Sequence, residues 1–329
     1  MNIVHAKTWL MGALLLAALA GFWGGHLAPY PLFVACNIGI SIVMAVSLDL
    51  INGHAGQFSL GHAGFMAVGA YVSAVITNHF NDLPPVTAEI VFASALVAGG
   101  FVAAAAGLLV GIPTLRLKGD YLAIVTLGFG EIIRVILQNM DSVGGARGLS
   151  VTHGWTNLFW CLSMAAITVY VVASLVHSTY GRGFMAVRDD ETAASAMGIN
   201  PTRYKVTAFV VGAFFAGLAG GLYAHSTQFL TPNGFGFMAS IAYVVMVILG
   251  GMGNTPGVIL AAVLLTLLPE GLRMAADVEH LPGIAANRPL AWLVNTRMIL
   301  YSLLLILLML TRPQGLFSFR RQSGKPPFR

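Results

Sequence analysis

The side chains able to do chemistry inside the apolar runs of this sequence are few. Glu131 and Arg134 stand three apart on one helical face and can neutralise each other as an intramembrane ion pair. Ionisable groups cost free energy in lipid, so each raises a functional question. Asp49 stands near the end of one apolar run, and Asp120 and Glu270 near the ends of others, where solvation is expected. His54 and His62 are eight apart, and no His, Asp and Glu cluster has the spacing of a metal site or a hydrolytic constellation, so both histidines read as turn or packing residues. Cys36 and Cys161 lie far apart and read as small core residues. There is no phosphate-binding Gly-x-x-x-x-Gly-Lys-[Ser/Thr] loop, since the lone Gly324-Lys325 is followed by proline. No covalent chemistry is expected here, and a nucleotide that drives this chain would be bound by another.

The elements that position these residues are lipid-soluble. Of 329 residues 57% are hydrophobic and only 9% charged, with a mean hydropathy of +0.81. A soluble domain carries about a quarter charged residues, so the composition is that of a polytopic membrane protein. The net charge of +5 lies in loops and tail, where it reads as a topology signal and not as a nucleic-acid surface. Apolar runs that can cross about 30 Å of hydrocarbon fall near 9–28, 32–51, 60–77, 88–112, 120–138, 156–177, 206–225 and 291–311, with shorter ones at 238–251 and 256–269. The first is long and lacks a cleavage site, so it reads as a retained helix. The expected fold is an all-α bundle of 8 to 10 spans, one permease-like domain over 1–329. With ten spans, twelve of the seventeen basic residues fall on one side and four on the other, with Arg134 inside a span. That makes both termini, the 181–205 island and the basic 312–329 tail cytoplasmic. Treating the short pair as one re-entrant hairpin leaves the parity unchanged.

Three local patterns stand out. Asn52 to Gly64 and Gly250 to Gly257 are polar, Gly-rich breaks between apolar runs. Such backbone is tolerated at membrane depth only where it lines a cavity or is buried in protein. Gly212, Ala216 and Gly220, with Ala213, Gly217 and Gly221 beside them, permit close helix packing, read here as intramolecular. The island from Gly181 to Lys205 places Asp189, Asp190 and Glu191 at the start of a helix of roughly two turns that Gly198 and Pro201 stop. Ala193, Ala194 and Met197 can share a face, with Ile199 just beyond. Such a helix suits a groove in another protein, and a solvated connector is the alternative.

Several stretches together resemble the LivM-type permeases of branched-chain amino acid ABC importers. They are Asn52 to Phe65, Leu115 to Arg134, the island through Lys205, Leu249 to Asn254, and Arg312-Pro-Gln-Gly-Leu316. The resemblance implies a helical permease in the bacterial inner membrane, paired with a second, related permease subunit. It also implies two cytoplasmic ATPases that hold ATP and Mg, and a periplasmic binding protein. Asp190, Glu191, Ala193, Ala194 and Gly198 would then form the ATPase-coupling motif, with Thr192 inserted after the glutamate. Gln57, Ser59, His62 and Asn254 are path candidates because they offer polar contacts beside broken helices. Branched-chain or related aliphatic amino acids are the expected solutes on family frequency, with urea, amides and other small polar solutes also in the class. An ion-coupled secondary transporter using Asp49, Glu131 or Glu270 is the competing reading, followed by a passive channel. An enzyme ranks last.

Overall fold

The computed structural model describes residues 3–24, 28–80, 84–114 and 119–277, together with the single positions 302, 303, 306 and 315. The expected run at 291–311 and the 312–329 tail otherwise lie outside the described residues. Five helices among them are long and apolar enough to cross a membrane: Pro29–His54, Val86–Pro113, Leu158–His177, Pro201–Thr227 and Pro232–Gly250. Thr8–Phe22 and Thr255–Gly271 are shorter apolar helices.

In chain order the helices are α1 (Ile3–Gly24), α2 (Pro29–Asp49), α3 (His62–Asn78), α4 (Pro85–Thr114), α5 (Asp120–Asn139), α6 (Leu158–His177), α7 (Thr179–Asp189), α8 (Glu191–Ala196), α9 (Pro201–Thr227), α10 (Phe237–Gly250) and α11 (Thr255–Asp277). α9 is the central element and packs against both α3 and α4. Its small residues make this possible, because a Cβ at Gly217 would come within 2.6 Å of the Ala103 Cβ, and one at Gly69 or Gly220 would overlap the facing backbone. The glycine stripe therefore serves packing inside the subunit, as expected. Pro201 at the first helical position and Asn200 as cap, whose Oδ1 accepts from Arg203 N at 3.4 Å, start α9.

The end of the bundle opposite α7 and α8 is closed by a two-residue antiparallel ladder of β1 (Leu149–Ser150) and β2 (Phe229–Leu230). Asn78 at the end of α3 ties it down, donating to Ser150 O at 2.8 Å and accepting from Thr152 N at 3.0 Å. Cys36 and Cys161 are free, buried core residues on α2 and α6.

Candidate functional site

The 181–205 stretch holds most of α7, all of α8 and the first turn of α9, where one short helix was expected. Ser178 caps α7 by accepting from Tyr180 N at 3.1 Å and Gly181 N at 3.3 Å. Asp190, in extended conformation at φ −156°, ends α7 and caps α8, accepting from Thr192 N at 2.8 Å and Ala193 N at 3.0 Å. Gly198, at φ +82°, closes α8 in the left-handed region, and Ile199 N bonds back to Ala194 O at 3.0 Å. α8 is thus a six-residue helix bounded where the acids and the Gly–Pro pair place it. α7 went unforeseen because its charges mask an apolar side: Phe184 and Val187 are buried, and Gly183 makes room for the Tyr204 ring.

Glu191 does not simply face outward. Its Oε1 accepts from Lys205 Nζ of α9 at 2.7 Å, and Lys205 is buried. Nor do Ala193, Ala194 and Met197 share an open face. Ala194 is 4% exposed while Met197 is 82% exposed, since a step from 193 to 194 turns about 100° around the helix and a step from 193 to 197 returns to the same side. The outward apolar set is Ala193, Ala196 and Met197.

The two Gly-rich breaks meet. α2 does not stop near residue 51 but continues as a π turn over Leu50–His54, closed by Ala55 N to Leu50 O at 3.0 Å. The second break is the turn between α10 and α11, with Gly251 at φ +93° and Gly253 at φ +80°. Asp49 joins them. Its Oδ1 accepts from Gly253 N at 2.8 Å, and its Oδ2 is 3.3 Å from His54 Nε2, which is also 3.3 Å from Thr255 Oγ1. The expected solvation of Asp49 is therefore wrong: the residue is fully buried, with the Gly253 N–H satisfying Oδ1 and the His54 imidazole beside Oδ2, which itself has no protein hydrogen-bond partner. Gly53 presses so closely on Gly253 that a Cβ there would overlap Gly253 N, and a Cβ at Gly315 would lie 2.7 Å from Gly251 Cα.

Arg188, at the end of α7, reaches this junction. Its Nη1 donates to Gly53 O at 3.2 Å, and its Nε and Nη2 each donate to Asp189 Oδ1 at 3.2 Å. In the sequence Arg188 is distinguished only as one of the basic residues of the island. The signal for Asp49 was present: an acid just before one Gly-rich break, in a chain with a second break rich in exposed N–H groups.

Gln57, Ser59 and His62 come together on one buried loop at the start of α3. Asn52 clamps it, accepting from Ser59 N at 3.0 Å and donating to Ser59 O at 3.4 Å. Leu60 N donates to Thr126 Oγ1 at 3.0 Å and Ala63 N to Ser240 Oγ at 3.2 Å. Thr126 is six residues into α5, so the loop dips about 9 Å beyond that helix's start. It is buried in protein, the condition under which polar backbone is tolerated at membrane depth. Ser47 Oγ lies 3.0 Å from Met44 O and 2.9 Å from His62 Nε2. His62 Nδ1, Gln57 Oε1 and Ser59 Oγ are buried without a protein hydrogen-bond partner. Asn254 is on the neighbouring turn, where its carbonyl accepts from Val258 N at 3.0 Å and starts α11.

Glu131 and Arg134 are elsewhere, toward the opposite end of α5. Arg134 Nε donates to Glu131 Oε2 at 2.7 Å and Nη1 to Asn233 Oδ1 at 3.0 Å, while Gln138 Nε2 donates to the same oxygen at 2.6 Å. Asp120 is exposed, and Glu270 accepts from Tyr30 Oη, which itself accepts from Arg273 Nη1 at 2.8 Å.

Residues 30–309 match the model of the family described as branched-chain amino acid transport system, permease component. The chain is 35% identical to the high-affinity branched-chain amino acid transport system permease protein LivM of Salmonella typhimurium, over 98% of this chain and 78% of that protein. Its identity to LivM of Escherichia coli K12 is 34% with the same coverage. It is 24% identical to the LivH permease of Salmonella typhimurium over 68% of this chain and 78% of that protein. No solved structure matches the chain significantly.

Proposed function

The chain belongs to the branched-chain amino acid transport permease family, and from that premise we propose that it forms half of the translocation path of an ABC importer in the cytoplasmic membrane. The carrying observation is the 35% identity to LivM across 98% of the chain, joined by a capped six-residue helix that offers Ala193, Ala196 and Met197 outward. Similarity to LivM and LivH alike supports pairing with a second, related permease. Two ATPases holding ATP and Mg, and a binding protein outside, complete the assembly.

In this reading the chain crosses the membrane 8 to 10 times with both termini and α8 cytoplasmic, and α8 docks an ATPase. ATP binding closes the ATPase pair, and α8 carries that movement into the spans as alternating access, since ATP stabilises one orientation over the other. The loop of Gln57, Ser59 and His62, with Asn254 beside it, lines the path once uncovered. The solutes are branched-chain amino acids or related small polar molecules. Ion-coupled transport would need a carboxylate free to exchange an ion; Glu131 and Glu270 are engaged by Arg134 and Tyr30, and Asp49 holds Gly253 N–H through one oxygen and is buried from solvent.

Gentle affinity purification from native membranes, followed by reconstitution, tests this. Co-purification of an ATPase and a second permease, with leucine uptake that stops when ATP is withdrawn, is expected. Uptake by the pure chain that follows an ion gradient without ATP would replace the importer with a secondary transporter.

A further inference from the structure

Two anchors hold α8. Through Glu191 it is pinned to Lys205 of α9, which belongs to the glycine-packed block of α3, α4 and α9. Through Arg188, two residues before its cap, it touches the junction of the two breaks. The first anchor is on a helix that glycines bring into close contact with α3 and α4. The second is where helical hydrogen bonding is interrupted twice, by a π turn and by a turn with two glycines in the left-handed region. Interfaces with two discrete arrangements, not continuously deformable cores, convert a small displacement into a conformational change. A tilt of α8 against the rigid block is therefore felt at the junction.

The chemistry of the junction fits that task. The guanidinium places one N–H on Gly53 O and two on Asp189, a fork that Lys cannot reproduce. Gly53 and Gly253 are in backbone contact, and Gly253 N–H is held by the buried Asp49. Gly56, at φ +68°, leaves room for the stem of Arg188, whose Cγ a Cβ there would approach to 2.6 Å. A pull on Arg188 therefore moves the end of α2 and the start of α11 together. We propose that Arg188 is the positioning residue that transmits the movement of α8 to both broken helices, through a latch made of Gly53, Gly253 and the Asp49 carboxylate. The driving force rests on the importer reading above, whereas the latch itself is a property of this chain.

The test compares hydrogen exchange of segments 53–56 and 251–254 in the reconstituted importer, with and without a non-hydrolysable ATP analogue, for wild type, Arg188→Ala and Arg188→Lys. Solute transported per ATP hydrolysed is measured in parallel. In wild type the analogue changes exchange in α8 and in both breaks. In Arg188→Ala the response of α8 persists, the response of the breaks shrinks about tenfold, and transport per ATP falls about tenfold, as expected for loss of one charge-assisted contact. Arg188→Lys falls between. An Arg188→Ala protein with wild-type response at the breaks and wild-type transport per ATP overturns the proposal. If no ATPase assembles on wild type, the importer reading fails separately, and the latch is decided on the chain in nanodiscs. There, about tenfold faster exchange at both segments in Arg188→Ala supports it, and unchanged exchange overturns it.

Discussion

Removing Glu191 tests two roles at once, and the structure allows them to be separated. The Lys205 ammonium side chain is 8% exposed and its carboxylate partner 25% exposed, 2.7 Å away. Deleting one member of a fully buried pair costs about 3–5 kcal/mol because the other charge is left unpaired. The partial exposure of Glu191 lowers this to roughly 2–3 kcal/mol for Glu191→Ala, since water can enter beside Lys205. Glu191→Gln keeps the acceptor and loses the charge, so about half of that is expected. Lys205→Met replaces a buried ammonium by an apolar chain of similar length and should change stability by less than about 1 kcal/mol. The double variant Glu191→Ala/Lys205→Met should then lie within about 1 kcal/mol of wild type, a coupling of roughly 2 kcal/mol in a double-mutant cycle. Equilibrium unfolding in mild detergent gives the four values. A loss below about 0.5 kcal/mol for Glu191→Ala, or no rescue by Lys205→Met, refutes the internal role. The same double variant, folded but lacking the carboxylate, then shows by ATPase capture whether Glu191 also docks the partner.

Three further outcomes follow from the same geometry. Gly198→Ala meets no neighbouring atom, so its cost is the left-handed backbone alone, about 1–2 kcal/mol, and ATPase-subunit binding should weaken about fivefold or more; unchanged binding would separate the C-terminal turn of α8 from docking. Gly69→Ala presses a methyl into the α9 backbone and should lower unfolding stability by about 1–3 kcal/mol, whereas a shift under about 0.5 kcal/mol would mean the seam of α3 and α9 is slack. A cysteine placed by Met197→Cys should react with a membrane-impermeant maleimide in inside-out vesicles and not in right-side-out ones, against the silent background of buried Cys36 and Cys161; the reverse pattern would invert the topology.

What was legible in the sequence was whatever a local pattern encodes. Apolar runs marked α1 to α6 and α9 to α11, Asp190 and Gly198 marked the ends of α8, and four-residue spacing of small residues announced the α9 seam. What was not legible depends on partners about two hundred residues away. The burial of Asp49 needs Gly253 N–H, and neither segment implies the other by spacing. The π turn over Leu50–His54 extends α2 through residues that read as a glycine break, because its hydrogen bonds are supplemented by packing on the second break. α7 was hidden for a different reason: its buried side is supplied by one Phe, one Val and two glycines among charges, which has little hydropathy to detect.

The buried loop before α3 adds a reason to read this arrangement as one of two. A buried polar atom without a partner costs about 1–3 kcal/mol, and Gln57 Oε1, Ser59 Oγ and His62 Nδ1 are three such atoms within six residues. A fold that kept them for packing alone would be improved by apolar replacements, since none of the three atoms holds another element in place. A conformation in which water or solute reaches them relieves that cost. Asn52 holds this loop by its backbone, and Asn52 itself is in the π turn that Arg188 touches at the next residue. Displacing the π turn therefore displaces the clamp on Ser59. In the proposed importer, the movement that releases the latch would also uncover these polar atoms, and the hydration they gain would lessen what α8 has to supply.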